Sequence, residues 1–216
     1  MKIEAHLIAW NESSIIGLVI KHYNKFCDHI TIWDNYSTDE TQLIAESMGC
    51  DVKKFGKKGE LSDQAYLDVK NNAWKSSDAD WVVMADCDEV LHYAGDVKEM
   101  LSNSHESIHR PLGWQIYSNE MPKNDILEIT TGYQFNNYSK CVLFKPSDVK
   151  EMNYKPGAHI CSPEFKIQNA GIADWTGNPD GGLYLLHYRT IGGVDRQIKR
   201  YKEYCRRMSL QNRRMG

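Results

Sequence analysis

Along residues 3–91 the pattern of apolar and polar positions switches repeatedly between strand and helix periods. Ile3 to Trp10 reads as a strand, and Ile15, Ile16, Val19, Ile20 and Tyr23 then recur at helical spacing. Between them, Asn11-Glu12-Ser13-Ser14 suits a helix N-cap, and a strand feeding straight into a helix N-terminus offers backbone N–H groups to an anion. His29 to Trp33 is a second strand, and its loop Asp34 to Thr41 opens a helix through Ser47. Gly49 to Phe55 holds a third strand. A helix from about Leu61 to Lys75 places Leu61, Ala65, Val69 and Ala73 inward and leaves Gln64, Lys70 and Asn71 for another side. Trp81 to Ala85 is five apolar residues in a row, which suits a strand covered on both faces. Short links between alternating strands and helices predict an α/β fold with a mostly parallel sheet built by right-handed crossovers.

The later pattern is weaker. A helix is expected near Asp96–Ser102, with extended segments around Gly113–Tyr117, Ile126–Thr131 and Lys140–Lys145 forming a mixed sheet. Trp114, Tyr117, Trp175 and Tyr184 could stack on a ligand ring, although such aromatics are more often core. Pro156 to His159 and Asn178 to Gly182 are loop signals that could lie over a ligand. From Gly192 onward Val194, Ile198, Tyr201, Tyr204 or Cys205, and Met208 predict the buried stripe of a helix whose basic residues face water. The expected organisation is one domain over 1–216, with the regular alternation running to about 91, a less regular part to about 191, then a basic C-terminal helix open to further domains or a partner surface.

At 41% hydrophobic, 25% charged and a formal charge of −3, the 216 residues describe an ordinary globular chain with no general reason to bind nucleic acid. The six cysteines include no C-x-x-C pair, so reduced thiols are expected. Glu4 and His6 interrupt the first residues before a signal core could form, and no segment approaches 18 apolar residues. A cytoplasmic location and no transmembrane segment are the expectation.

What changes the picture is the end of the fourth strand, where Asp86, Asp88 and Glu89 follow the apolar run at once. Unpaired charges are too costly to bury, so the cluster should lie beyond the strand's carboxyl end, where α/β sheets bind ligands. In D-x-D on extended backbone Asp86 and Asp88 point the same way and can converge on a hard cation, while Glu89 points elsewhere. Taken alone, a solvated acidic turn explains a bare D-x-D equally well.

Three stretches in this order, Ile8–Glu12, Trp33–Thr41 and Asp80–Glu89, resemble the GT-A glycosyltransferases, family 2 and its relatives. The resemblance implies a Rossmann-like nucleotide-binding half over about 1–91 followed by a smaller mixed acceptor-side half over about 92–191. It implies donor contacts at Ala9, Asn11 and Glu12, and base or ribose recognition at Asp34, whose carboxylate can accept the uracil N3–H. Gln64 and Lys70-Asn71-Asn72-Ala73 stand where the family often has Arg-Asn-Ala, so Gln64, Lys70 and Asn71 join Asp86 as donor contacts, with Lys70 a compact substitute for arginine. The metal set implied is Asp86, Asp88 and a late histidine, best matched by His187, holding Mn²⁺ or Mg²⁺. The implied partners are a UDP-sugar donor and a carbohydrate or glycan acceptor. For the catalytic base, Glu120, Glu164, Asp174 and Asp180 stay open, each more often a surface carboxylate. Arg189 or Lys199 could help hold the diphosphate.

Two enzyme rivals use the same residues. Val82 to Leu91 also resembles the first motif of haloacid dehalogenase-type phosphatases, with Asp86 as nucleophile and Asp88 as acid/base, but that motif usually opens its domain. A sugar-phosphate nucleotidyltransferase should show a glycine-rich basic loop after the first strand, where this chain has Asn-Glu-Ser-Ser. A noncatalytic nucleotide-sugar-binding module would keep the same metal site.

Overall fold

The computed structural model describes residues 1–177 and 182–215. In chain order the first half is β1 (Ile3–Ala9), α1 (Ile16–Tyr23), β2 (His29–Asp34), α2 (Thr41–Ser47), β3 (Asp51–Lys54), α3 (Asp63–Asn72) and β4 (Trp81–Asp86). These four strands are parallel, in the spatial order β3-β2-β1-β4, so β1 lies between its two neighbours in the sheet. Every residue of β1 is buried, as are Trp81 to Ala85 of β4, which is why their sequences read as continuous runs.

The second half adds β5 (Glu89–Tyr93), α4 (Val97–Ser102), β6 (Ile108–Arg110), β7 (Leu112–Tyr117), β8 (Gly132–Gln134), β9 (Leu143–Phe144), β10 (Val149–Glu151), β11 (Glu164–Phe165), β12 (Ile172–Asp174) and β13 (Leu183–Thr190). Helices α5 (Gly193–Arg207) and α6 (Leu210–Met215) follow. Strands β9, β6 and β12 extend the parallel sheet beyond β4, with β9 antiparallel to both neighbours. A second, mixed sheet runs β5-β13-β7-β8, and β10 pairs with β11 in a small ribbon. The fold is therefore the expected α/β one, a mostly parallel sheet joined to a smaller mixed sheet. No described helix is long and apolar enough to cross a membrane. All six cysteines are free thiols.

Several elements differ from the sequence pattern. Ile126–Thr131 is not a strand: Ile126–Glu128 makes a single 3-10 turn, started by the Asp125 carboxylate accepting the Leu127 N–H. Helix α3 is shorter than expected at both ends, because Leu61 pairs instead with the chain after α5. Its inward face carries Val69 and Lys70 rather than leaving Lys70 on another side. The largest difference is α5, which is turned over. Arg200 and Arg207 are its buried residues, whereas Val194, Ile198, Tyr201 and Met208 are exposed.

Candidate active site

Strand β4 ends at Asp86, and Cys87-Asp88 is a tight turn that carries the chain into β5 and the second sheet. The turn is pinned from both sheets. Cys87 N–H donates to the Ile8 carbonyl (2.8 Å), and Tyr188 N–H of β13 donates to the Asp88 carbonyl (2.7 Å). Asp86 reaches the cleft from the end of β4 and Asp88 from the turn, not both from the extended backbone expected. Glu89 points elsewhere, as expected. It is buried, its Oε2 accepts the Asp86 N–H (3.1 Å), and its Oε1 pairs with the buried Lys140. Glu89 therefore props the first aspartate from beneath.

His187 lies opposite Glu89 because the two are cross-strand partners in the antiparallel β5–β13 pair. Its Nε2 is 3.6 Å from Glu89 Oε1, and its ring stacks on Tyr138 with centroids 4.1 Å apart. Burial holds the imidazole below its ordinary pKa, against the pull of Glu89. The structure does not gather Asp86, Asp88 and His187 into one ligand set: among the described residues no group of three or more His, Cys, Asp or Glu side chains is arranged around a cation. The two aspartates remain a workable pair of hard oxygen donors. Their side chains keep 29% and 14% exposure toward the cleft, and Asp86 Oδ1 has no aligned hydrogen bond, its 2.8 Å approach to Lys70 Nζ being an ion pair only. Mg²⁺ and Mn²⁺ commonly take just one or two carboxylates and complete their shell with water and phosphate.

The cleft holds about 340 Å³ and opens between the carboxyl ends of β1 and β4, helix α3 and helix α5. Its charged lining is Glu12, Asp63, Asp86 and Asp88 against Lys70 and Arg189. Arg200 closes it from behind. Its guanidinium forks onto Glu12 (2.9 and 2.7 Å), reaches Asp88 Oδ2 (3.4 Å) and donates to the Tyr204 hydroxyl (3.0 Å). Burial pushes the Glu12 carboxyl up to about 7, while Arg200 pulls it down. Arg207 lies flat over Trp10 at 3.5 Å and donates to Asn35. Arg189 stacks over Tyr204 at 4.9 Å. The arginine face of α5 is buried because these carboxylates and rings await it.

The first loop is used differently from the expected cap. Asn11 has a positive φ of 53°, and its side chain exchanges hydrogen bonds with Thr38, accepting from the N–H at 2.7 Å and donating to the hydroxyl at 3.1 Å. The N–H groups of Asn11, Glu12 and Ser13 donate to Ser37, Thr41 and Asp39, so they are already taken, and no side chain caps α1. Asp34 is fully buried, accepts the Ser37 N–H with both oxygens and pairs with Lys54. Ala9 ends β1, its carbonyl accepting the Asn35 N–H. Of the α3 residues, Lys70 reaches Asp86, Gln64 turns outward to Asp68, and Asn71 accepts the Tyr154 N–H.

None of the expected base candidates in the described residues lines the cleft. Glu120 is exposed, Glu164 pairs with Lys150, and Asp174 pairs with Arg110. Asp180, with the loop Asn178 to Gly181, lies outside the described residues. Nor do the expected stacking aromatics line it: Trp114 and Tyr184 flank a separate groove on the mixed sheet, and Trp175 donates its indole N–H to His109. The aromatic walls of the cleft are Trp10, Tyr66, Tyr201 and Tyr204. Sequence pattern missed Asp63 and Arg200; Lys199, one residue away, is exposed on the outer side of the helix.

No protein-family model matches the chain. Curated proteins do. An uncharacterized glycosyltransferase of Rickettsia bellii (strain RML369-C) is 30% identical over 144 residues, 65% of this chain and 44% of that protein. Another, from Rickettsia conorii (strain ATCC VR-613 / Malish 7), is 33% identical over 125 residues, 57% of this chain and 42% of its own length. The chain spans less than half the length of these relatives. Among solved structures, S. aureus TarS is 14% identical and covers 68% of this chain and 29% of its own, with a TM-score of 0.48. Glucosyl-3-phosphoglycerate synthase from Mycobacterium tuberculosis, in complex with Mn²⁺, UDP and glucosyl-3-phosphoglycerate, is 19% identical and covers 53% and 44%, with a TM-score of 0.37. The chain is thus similar in sequence to proteins named glycosyltransferases, in agreement with its three motifs.

Proposed function

We propose that the chain carries the donor site of a glycosyltransferase that moves a sugar from a nucleoside-diphosphate donor, UDP-linked, to a carbohydrate acceptor. The observation that carries this reading is one cleft, at the carboxyl edge of the parallel sheet, whose lining holds Asp86 and Asp88 together with Lys70 and Arg189. A diphosphate needs cations and a metal bridge, and this lining offers two cationic side chains together with two carboxylates that would hold the metal. Asp86 and Asp88 would hold Mn²⁺ or Mg²⁺, which when bound neutralises charge developing on the leaving nucleoside diphosphate. Lys70, released from Asp86, and Arg189 contact the phosphate oxygens. Trp10 and Tyr66 offer flat apolar walls to the base or sugar, and Glu89 with Lys140 keeps the aspartate turn rigid. His187, buried against Glu89, acts in that support and not as a ligand.

The names of the curated relatives support the reaction class. The test is calorimetry with UDP and Mn²⁺ on the wild-type chain and on Asp88→Asn. The substitution keeps the side chain's size and leaves Arg200 its fork to Glu12, so the fold should survive while metal-dependent binding drops at least tenfold, about 1.4 kcal/mol. Undiminished binding in Asp88→Asn overturns the metal assignment. Hydrolysis of simple phosphoesters with no affinity for nucleoside diphosphates would favour the dehalogenase chemistry, and binding without donor hydrolysis or transfer would mark a noncatalytic module.

A further inference from the structure

Helix α5 presents outward what a surface helix ordinarily hides. Val194, Ile198, Tyr201 and Cys205 follow one another at spacings of four, three and four, which sets them in a single line. The first three keep 69%, 45% and 56% of their surface in solvent, and Leu210 at the start of α6 keeps 74%. The helix cannot roll to cover this line. Its opposite face is fixed by the Arg200 fork on Glu12 and by Arg207 on Trp10 and Asn35, and rotation would strand a buried carboxylate. The outward stripe is therefore the state the buried arginines enforce.

The flanks are cationic. Lys199, Lys202, Arg206, Arg213 and Arg214 are exposed, against exposed Asp195 and half-buried Glu203. An aliphatic and tyrosine line bordered by lysines and arginines has the chemistry of a helix lying in the headgroup plane of an anionic bilayer. We infer that α5 and α6 form a docking surface for an anionic lipid membrane, with the Val194–Ile198–Tyr201 line entering the interface and the basic flanks meeting lipid phosphates. A second copy of the chain fits poorly, because two-fold pairing would set five cations against their own images. A nucleic-acid backbone would match the cations but not the aliphatic centre. Tyr201, Cys205 and Met208 also line the cleft, so the bound membrane would border its mouth. The inference does not depend on the chemistry performed in that cleft.

The experiment is sedimentation of the purified chain with vesicles of phosphatidylcholine alone and of phosphatidylcholine mixed with phosphatidylglycerol, at low and high salt. Binding is expected on the mixed vesicles, weakened by salt and weak on phosphatidylcholine alone. Lys202→Ala and Arg206→Ala should each lower partitioning about fivefold. The double variant Val194→Glu/Ile198→Glu, whose side chains lie on the outer face away from the cleft, should abolish it with an unchanged circular dichroism spectrum and unfolding midpoint. The inference is overturned if the wild type stays in the supernatant with both vesicle types, or if the double variant binds as well as the wild type. Sedimentation velocity gives a further arm: a dimer that the same double variant dissolves would assign the line to a second copy and overturn the lipid surface.

Discussion

Lys140 and Glu89 bring opposite charges into a region that water does not reach, with side chains only 3% and 2% exposed. Lys140 is the main influence drawing the buried Glu89 carboxyl below its ordinary range, with His187 and Lys70 adding to it. Replacing Lys140 with methionine keeps most of the side-chain volume but leaves a buried carboxylate beside a neutral histidine. Urea unfolding of Lys140→Met should show a loss of about 3–5 kcal/mol. A double variant, Lys140→Met/Glu89→Leu, should recover much of it, and full stability in the single variant would show that the pair does not carry the turn. At this scale the sequence was only partly informative. Asp86 and Asp88 stood out because three carboxylates follow five apolar residues. Glu89 points away from the cleft as expected, but its burial is not legible, because the lysine that pairs with it stands 51 residues further along the chain. Lys140 and Arg200 gave no signal, since a lone Lys or Arg in a polar segment looks solvated until its distant carboxylate is known.

Helices and strands were legible in proportion to how much of their surface is apolar and covered. Strands β1, β2 and β4 could be read within a residue or so because their burial is two-sided, and α4 because Asp96 caps it by accepting the Glu99 N–H. Strand β9 lies within the extended segment expected at 140–145, whereas β10, β11 and β12 could not be read, having only two or three residues each. Helix α5 shows a different failure. Its apolar period was read correctly but assigned to the wrong side, because Arg200 and Arg207 bury guanidinium groups already matched by Glu12, Asn35 and Trp10. The expected consequence concerns the whole helix: Arg200→Ala removes the only fork onto Glu12 among the described residues and should cost about 3 kcal/mol or more. Hydrogen exchange should rise through 193–207 while β1 and β2 stay protected. Unchanged exchange in that helix would mean that its packing does not rest on Arg200.

The molecule as a whole also carries buried histidines outside the lining of the cleft. Burial holds His6 and His109 at about 4, and each accepts an indole N–H on Nδ1, from Trp33 at 3.2 Å and Trp175 at 3.1 Å, which requires that nitrogen unprotonated. Between about pH 6.5 and 4 the unfolded chain therefore binds protons that the native chain refuses. Their stabilising effect is complete above about 6.5 and is lost as pH falls toward 4, by on the order of 3 kcal/mol per histidine at most. Unfolding at pH 5 should take up protons, seen as a dependence of calorimetric enthalpy on the buffer's own ionisation heat; proton release instead would contradict the assignment.

One contact sets an order of events. Glu12 and Arg200 lie 188 residues apart in the chain yet form a single buried pair. On a ribosome the first loop emerges long before its guanidinium partner, so throughout translation the nascent sheet must tolerate an unmatched acid at its edge. Until α5 has left the exit tunnel, that acid keeps its water and the pocket beside it lacks a wall, so the cleft takes shape only after residue 207 has been made.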